Sequence, residues 1–203
     1  EISLIFSSMM KRLLDILSSF LVLLIFLPLW LLIAIAIAVE SRGGVFYKQI
    51  RVGKNNQDFY LYKFRTMRVG ADKQGLLTVG ERDNRITKVG YFLRKYKIDE
   101  FPQLLNVLKG DMSIVGPRPE VRKYVDMYTP EQLKVLSVRP GLTDYASIKY
   151  VHENDILAAS STPEQTYIDE VMPAKLQLNL QYIKNQSLGE DIKLIFKTFG
   201  AIL

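Results

Sequence analysis

Two adjacent carboxylates, Asp99 and Glu100, follow a cluster of cations and are the residues best suited to do chemistry. Arg94, Lys95 and Lys97 stand just before them. An ionised carboxylate can attack phosphorus or bind a divalent cation. The start of a helix and the nearby cations would keep Asp99 deprotonated at neutral pH. The pattern therefore predicts an anionic nucleophile in a cationic surround.

Arginines elsewhere in the chain could complete a phosphate site around these carboxylates. Guanidinium groups bind phosphate oxygens through paired hydrogen bonds, and Arg65, Arg94 and Arg118 are the candidates for such a clamp. Magnesium that bridges a carboxylate and a diphosphate neutralises charge while a phosphoryl group moves. We therefore expect Mg2+ as a cofactor, with Asp99 as its protein ligand.

Helix capping is a purely structural alternative for the same residues. Asp99 is a good N-cap for a helix predicted over residues 100–108. Glu100 would favour the positive end of that helix, and Pro102 is tolerated in a first turn. From these residues alone, both interpretations stay open.

The composition excludes several other chemistries. The chain has 203 residues, no Cys and a single His, His152, so it has neither a thiol nucleophile nor a multi-histidine zinc centre. It contains no Walker loop and no G-x-G-x-x-G motif, which argues against transfer driven by ATP. Carboxylates are left to do the acid, base or nucleophilic work.

An uncharged apolar block occupies residues 16–39 and is interrupted by Pro28. As a straight helix it would extend roughly 36 Å, against about 30 Å for the hydrocarbon core of a bilayer. Proline removes a backbone hydrogen bond and clashes with the preceding turn, so we expect a kink at Pro28. The block is long enough for a membrane segment.

Basic residues flank this block on both sides, which gives no clear positive-inside asymmetry. They are Lys11 and Arg12 before it and Arg42, Lys48 and Arg51 after it. We therefore favour a kinked helix that enters one leaflet and returns. A single span, a signal peptide and a buried core helix are the alternatives.

The segment after the apolar block is strongly basic. Residues 41–100 carry 14 Lys or Arg against 6 Asp or Glu. Such a surface suits anionic headgroups, a phosphorylated lipid or a nucleotide, and on charge alone nucleic acid. No nucleic-acid recognition motif is present, so we expect no such partner. A catalytically silent membrane scaffold is the alternative to an enzyme.

Periodicity predicts the remaining elements. Aromatic runs at residues 45–47 and 59–64, separated by a turn at 53–56, predict a β-hairpin, and residues 89–96 predict a helix. The C-terminal stretch has apolar residues at helical spacing, among them Ile192, Ile195, Phe196 and Phe199. This helix could pack against the domain or lie on the bilayer surface, and both remain open.

Three motifs together are highly specific. They are Lys63-Phe64-Arg65-Thr66-Met67, the segment from Asp99-Glu100-Phe101-Pro102-Gln103-Leu104 through Gly116-Pro117-Arg118-Pro119, and Arg139-Pro140-Gly141-Leu142-Thr143. The chain thereby resembles the bacterial sugar transferases, also called monotopic phosphoglycosyl transferases, from about Met10 to its C-terminus. It is similar to their small form, the minimal catalytic domain without the multi-span N-terminal region of larger relatives.

The resemblance implies an activity at the cytoplasmic face of the bacterial inner membrane. Members of the family move a sugar 1-phosphate from a UDP-sugar to undecaprenyl phosphate, release UMP and begin a surface glycan. The implied partners are the UDP-sugar, undecaprenyl phosphate and membrane lipid, with the oligomeric state left open. The family's anchor is a re-entrant, proline-broken helix, in agreement with the interpretation of Pro28.

The resemblance also assigns roles to residues. Asp99 is implied to be the nucleophile, which forms a phosphosugar acyl-phosphate intermediate with magnesium, and Glu100 its partner. Arg94 and Arg118 look like phosphate and nucleotide contacts. The Lys-Phe-Arg run adds two further phosphate contacts, Lys63 and Arg65.

The chain departs from the family pattern in three places. Leu27 precedes the anchor proline where some members have Ser. Asp144-Tyr145 stands where many have Gly-Trp after the Pro-Gly-Ile-Thr motif, so no sugar specificity is transferred. Residues 152–173 fit no subgroup.

The expected fold is α+β and mostly helical. Residues 1–40 form the N-terminal segment and a re-entrant, Pro-kinked membrane helix. Residues 41–203 form a compact catalytic domain on the cytoplasmic face, with a small β-hairpin, surface amphipathic helices and the C-terminal amphipathic helix.

Overall fold

Two helices form the N-terminal part of the computed structural model, which describes residues 2–71 and 83–202. Helix α1 spans Ile2–Ile25 and helix α2 spans Leu27–Glu40. Their axes are bent by 64° at the break. Pro28 lies in the first turn of α2, where it has no N–H to offer the preceding turn of α1.

Most apolar side chains at residues 8–40 of these two helices are exposed. Leu17, Leu32 and Val39 are 56%, 65% and 83% exposed. Within the described ranges, no single helix is both long and apolar enough to cross a bilayer, and residues 8–40 meet that test only as a bent pair. Such exposure argues against a buried core helix.

A β-hairpin follows and confirms the predicted one. Strand β1 (Phe46–Val52) pairs antiparallel with β2 (Asp58–Phe64), with Phe46 opposite Phe64 and Val52 opposite Asp58. The turn between them is a short 3-10 segment, Lys54–Asn56. Its two asparagines adopt positive φ, a conformation that Asn tolerates better than most residues.

Short helices and a second small sheet make up the rest of the domain. The remaining α-helices and strands are α3 (Lys88–Lys95), α4 (Gln103–Lys109), β3 (Ser113–Val115), α5 (Arg122–Val125), β4 (Gly141–Thr143), α6 (Tyr145–Lys149), α7 (Glu153–Ala158), α8 (Pro163–Thr166), α9 (Met172–Lys184) and α10 (Leu188–Ile202). Helix α3 confirms the helix predicted over residues 89–96. Together they give the α+β, mostly helical fold expected from the sequence.

Strands β3 and β4 lie parallel and bring two sequence motifs together. Gly116 and Gly141 approach so closely that a Cβ on Gly141 would meet the Gly116 nitrogen at 2.1 Å. Only glycine fits such a contact. The Gly-Pro-Arg-Pro loop is thereby held against the Arg-Pro-Gly turn.

The N-terminal helices are anchored to the domain by an apolar cluster. Ile33 and Ile37 of α2 pack with Phe64 of β2 and Leu93 of α3. At the break between α1 and α2, the Phe26 ring lies 6.0 Å from that of Phe101. The turn that carries Asp99 and Glu100 therefore rests directly against the bend.

The charged turn of α1 is also bound to the domain. Lys11 Nζ lies 2.6 Å from the Asp191 carboxylate, and Arg12 donates to the carbonyls of Val107 and Leu108. The Asp15 carboxylate accepts a hydrogen bond from the domain backbone. From the sequence, Lys11 and Arg12 are expected only as charges that flank the apolar block. In the structure they bind α1 to the rest of the domain.

The C-terminal helix α10 has two apolar faces. Leu194 is fully buried, and the Thr198 hydroxyl lies 2.6 Å from that of Thr143 in β4. Ile192, Phe196 and Phe199 are 50%, 72% and 63% exposed. Packing against the domain therefore accounts for one side of the helix and leaves an apolar stripe on the other.

Candidate active site

Asp99 and Glu100 lie in a 3-10 turn, Ile98–Glu100, between α3 and α4. Lys97 precedes this turn in a left-handed conformation with φ of 56°. Helix α4 begins at Gln103, so the predicted start at residue 100 and the N-cap role of Asp99 are wrong. The reason is local: the Phe101 N–H bonds to the Ile98 carbonyl and tightens the chain before α4 starts.

Glu100 is bound by two cations. Its Oε1 lies 3.0 Å from Lys63 Nζ, and its Oε2 accepts from Arg118 Nη1 at 3.0 Å. Arg118 Nη2 donates to the Oε1 atom as well, which completes a bidentate pair. Burial would raise the pKa of Glu100, but Arg118 and Lys63 hold it well below its ordinary range. Glu100 is therefore a fixed anion that positions the two cations.

Asp99 is in the opposite situation. It is only 6% exposed, and its carboxylate makes no hydrogen bond with the described residues. Burial raises the pKa of Asp99, and Lys63 and Arg94 oppose that rise. Burial is the largest influence on the pKa of Asp99 and acts against the stabilisation of the anion by nearby cations that the sequence predicts. The result is a poorly solvated carboxylate whose oxygens are left for a ligand.

Asp99 borders two clefts. The first, the Arg118 cleft, has a volume of about 300 Å³ and is lined by Asp99, Glu100, Lys63, Arg94 and Arg118 among others. The second, the Arg65 cleft, has about 410 Å³ and is lined by Asp99, Lys63, Arg65 and Arg94 together with further arginines, Arg51, Arg68 and Arg85. Every predicted phosphate contact therefore reaches a cleft that contains Asp99.

Arg94 lines both clefts, and its guanidinium group makes no ion pair or hydrogen bond with the part of the chain that the structure describes. Arg65 differs, since it donates to the backbone carbonyls of Arg42 and Gly43. Lys63 is committed to Glu100, and burial lowers its pKa. Arg94 is thus the cation best placed to meet an incoming phosphate.

Asp144 supports the site and was not predicted as a site residue. Its buried carboxylate accepts the backbone N–H of Arg118 at 3.0 Å and that of Ser147 at 2.5 Å. It is the N-cap of α6 and fixes the loop that carries Arg118. An Asp three residues before Ser at a strand end is a capping signal, but nothing local shows that it also reaches residue 118.

The site offers limited protein ligands for a metal. Among residues 2–71 and 83–202, no group of three or more His, Asp or Glu side chains is arranged to hold an ion. Glu100 is occupied by Lys63 and Arg118, so Asp99 supplies the available carboxylate oxygens. Mg2+ is commonly held by one or two carboxylates plus substrate phosphates, and the donor set fits that mode. Pro28 lies in the helical bend, away from both clefts.

Comparison with known proteins places this site in a family. A model of the bacterial sugar transferases matches residues 6–203. A UDP-N-acetylgalactosamine-undecaprenyl-phosphate N-acetylgalactosaminephosphotransferase from Aeromonas hydrophila is 40% identical over 196 residues, which are 95% of this chain and 43% of the relative. The protein belongs to the bacterial sugar transferase family.

Other relatives match a larger share of their own length. A UDP-glucose:undecaprenyl-phosphate glucose-1-phosphate transferase from Caulobacter vibrioides is 37% identical over 95% of this chain and 69% of the relative. The exopolysaccharide production protein ExoY of Rhizobium meliloti is 35% identical over 96% of this chain and 85% of its own. The chain spans less than half of the Aeromonas protein, and the named sugars differ between relatives.

Proposed function

We propose that this protein transfers a sugar 1-phosphate from a UDP-sugar to undecaprenyl phosphate, with release of UMP, through a covalent intermediate on Asp99. The observation that carries the proposal is the position of one unpaired, buried carboxylate on two cationic clefts. In a two-step transfer the donor and the acceptor phosphates must both reach the same nucleophile, and Asp99 borders both clefts. The names of the relatives support this choice of substrates.

In the first step, an Asp99 oxygen attacks the β-phosphorus of the UDP-sugar. The bond from that phosphorus to the bridging oxygen breaks, and UMP leaves with the electron pair. Arg94 and Arg118 line the Arg118 cleft and would bind the diphosphate oxygens. Because Asp99 is desolvated, little water must be removed from it before it attacks.

In the second step, a phosphate oxygen of undecaprenyl phosphate attacks the same phosphorus. The acyl-phosphate bond breaks, the diphosphate-linked sugar forms on the lipid, and the Asp99 carboxylate is restored. We assign the lipid phosphate to the Arg65 cleft, because Gly43, just after α2, lines it together with Arg65 and Arg68. This cleft therefore joins Asp99 to the end of the apolar helices.

Mg2+ is part of the proposal as a cofactor. Asp99 would hold it together with substrate phosphate oxygens, and the ion would neutralise charge on the diphosphate. Lys63 and Arg118 remain bound to Glu100 and keep the cationic wall in place. Because Glu100 is bound by these two cations, Asp99 is the carboxylate that would bind the ion.

We also propose that α1 and α2 enter one leaflet and return, with the domain on the cytoplasmic face of the bacterial inner membrane. The 64° bend, the exposed apolar side chains and the apolar stripe on α10 support shallow insertion of the protein into one leaflet of the membrane. Tags placed before Lys11 and after the C-terminus should both react with a cytoplasmic probe. Protection of one tag would favour a single span.

The test of the activity measures UMP release from a panel of UDP-sugars with undecaprenyl phosphate and Mg2+. Asp99→Asn keeps the shape of the side chain and removes the nucleophile, so turnover should fall about 10⁴-fold or more. Asp126→Asn, an exposed carboxylate outside both clefts, is the matched control and should retain activity. Failure of the unmodified protein on every sugar of the panel would favour the scaffold, and full activity of Asp99→Asn would contradict the nucleophile.

A further inference from the structure

The lining of the Arg118 cleft includes three polar side chains from α7 and α9 that do not belong to the phosphate site. They are Glu153 and Asn154 of α7 and Lys175 of α9. Glu153 and Lys175 form an ion pair of 2.7 Å, with side chains 24% and 15% exposed. Asn154 is half-buried, and its side-chain amide makes no hydrogen bond with any residue that the structure describes. We call these three residues the polar wall.

The polar wall also borders a further cavity of about 190 Å³ that Arg94 and Arg118 line as well. Asn179 reaches this cavity and is only 5% exposed, and its Oδ1 has no hydrogen-bond partner in the described structure. Asn179 lies one helical turn after Lys175, on the same face of α9. A buried amide oxygen without a donor indicates that a ligand or water supplies one.

Charge separates the polar wall from the phosphate site. Glu153 neutralises Lys175, so this wall has no net charge, while Arg94 and Arg118 are cations in the same cleft. The Glu153 carboxylate disfavours a phosphate beside it, and its ion pair with Lys175 removes the attraction that the lysine would otherwise exert. A carboxylate, an ammonium and an amide together offer fixed acceptors and donors for neutral hydroxyl or acetamido groups. The cleft therefore changes from anion-binding to neutral and polar along its lining.

We infer that the polar wall of Glu153, Asn154 and Lys175 recognises the sugar ring of the nucleotide sugar and determines which sugar is accepted. This inference rests on the proposed function, since it takes the diphosphate of the same substrate to lie at Arg94 and Arg118. The wall begins in residues 152–173, the stretch without a recognisable subgroup pattern. Two relatives named for different sugars are compatible with a determinant outside the shared motifs.

The first test compares sugar preference in the full-length protein. The probes are UDP-glucose, UDP-galactose, UDP-N-acetylglucosamine and UDP-N-acetylgalactosamine, and the readout is kcat/KM for UMP release. Asn154→Ala removes an amide that makes no hydrogen bond with the described residues, and Lys175→Met removes the ammonium but keeps an apolar stem. Each should change the ratio between the best and second-best sugar about 10-fold or more. Gln177→Ala, an exposed amide on α9, should leave the ratio unchanged.

A binding measurement separates this inference from the proposed function. Calorimetry compares the Kd of each UDP-sugar with that of UDP, and thermal unfolding checks that each variant is folded. The polar wall predicts that Asn154→Ala weakens the UDP-sugar and leaves UDP unchanged. Equal loss for both ligands, or an unaltered sugar ratio in folded variants, would overturn the inference. An unmodified protein that binds a UDP-sugar selectively without UMP release would instead contradict the proposed reaction.

Discussion

Asp99 and Asp15 are almost equally buried, at 6% and 5% exposed, but their surroundings differ. Asp15 accepts the backbone N–H of Ile114, and the neighbouring Lys11 and Arg12 are likewise bound to the domain. Asp99 has cations nearby and no hydrogen bond from the described residues. A buried carboxylate with a partner stabilises the fold, whereas one without a partner costs stability and is retained for a ligand.

After Asp99 itself, the largest effect that tests this comparison is expected at Glu100, the bound neighbour of Asp99. Glu100→Gln removes the anion that holds Lys63 and Arg118, so both cations should lose their fixed positions. We expect kcat/KM for UMP release to fall about 10²-fold or more, as when a preorganised electrostatic group is removed. Glu131→Gln, whose partner pair is exposed, is the control. Unchanged turnover would mean that Glu100 has no part in positioning.

Arg94 should separate function from stability. The Arg94 side chain makes no hydrogen bond or ion pair with the described residues, so Arg94→Ala should lower kcat/KM about 10- to 100-fold, the value of a charge-assisted hydrogen bond to the substrate. The free energy of unfolding should change by no more than about 0.5 kcal/mol. Steady-state kinetics and thermal unfolding measure both quantities. Arg42→Ala, an exposed arginine outside both clefts, should change neither, and a large stability loss in Arg94→Ala would refute its unpaired state.

Arg12 should give the reverse result. Arg12→Ala deletes the donors to the Val107 and Leu108 carbonyls at the end of α4. The expected cost is about 1–3 kcal/mol of unfolding free energy, with turnover per folded molecule unchanged. Thermal unfolding in detergent, with Lys134→Ala as an exposed control, measures it. A selective loss of turnover at unchanged stability would place Arg12 in the reaction and break the comparison.

The pH dependence should show the smallest effect. Burial raises the pKa of Asp99, and the protonated form cannot attack phosphorus, so kcat/KM should fall with acidification at a higher pH than for an ordinary aspartate. Lys63 opposes the rise, so Lys63→Gln should move this acidic limb to still higher pH. The depressed pKa of Glu100 keeps that group ionised over the same range. A limb that moves to lower pH in Lys63→Gln would contradict the assignment.

The sequence predicted what depends on local pattern. The hairpin follows from two aromatic runs around an Asn-containing turn, and the family assignment follows from three long and specific motifs. The start of α4 was misjudged because Asp99 has good capping chemistry, and only the tertiary fold shows that residues 98–100 form a 3-10 turn instead. Burial of Asp99, which raises its pKa, is likewise not encoded locally.

Long-range contacts account for the other differences. Asp144 reaches the Arg118 backbone across 26 positions of sequence, and Lys11 reaches Asp191 across 180. Glu153 and Lys175 meet because α7 and α9 both border one cleft. Short-range periodicity carries no information on such pairs. The polar wall can therefore be recognised only from the three-dimensional structure.

The central claim, a covalent intermediate on Asp99, is tested most directly without the lipid acceptor. The protein is incubated with Mg2+ and its preferred UDP-sugar, then quenched and analysed by intact-mass and peptide mass spectrometry. We expect at most one UMP released per protein molecule and a matching sugar-phosphate adduct on the peptide that contains Asp99, absent from Asp99→Asn. UMP release that requires undecaprenyl phosphate, with no adduct at any time point, would contradict the account and favour direct transfer.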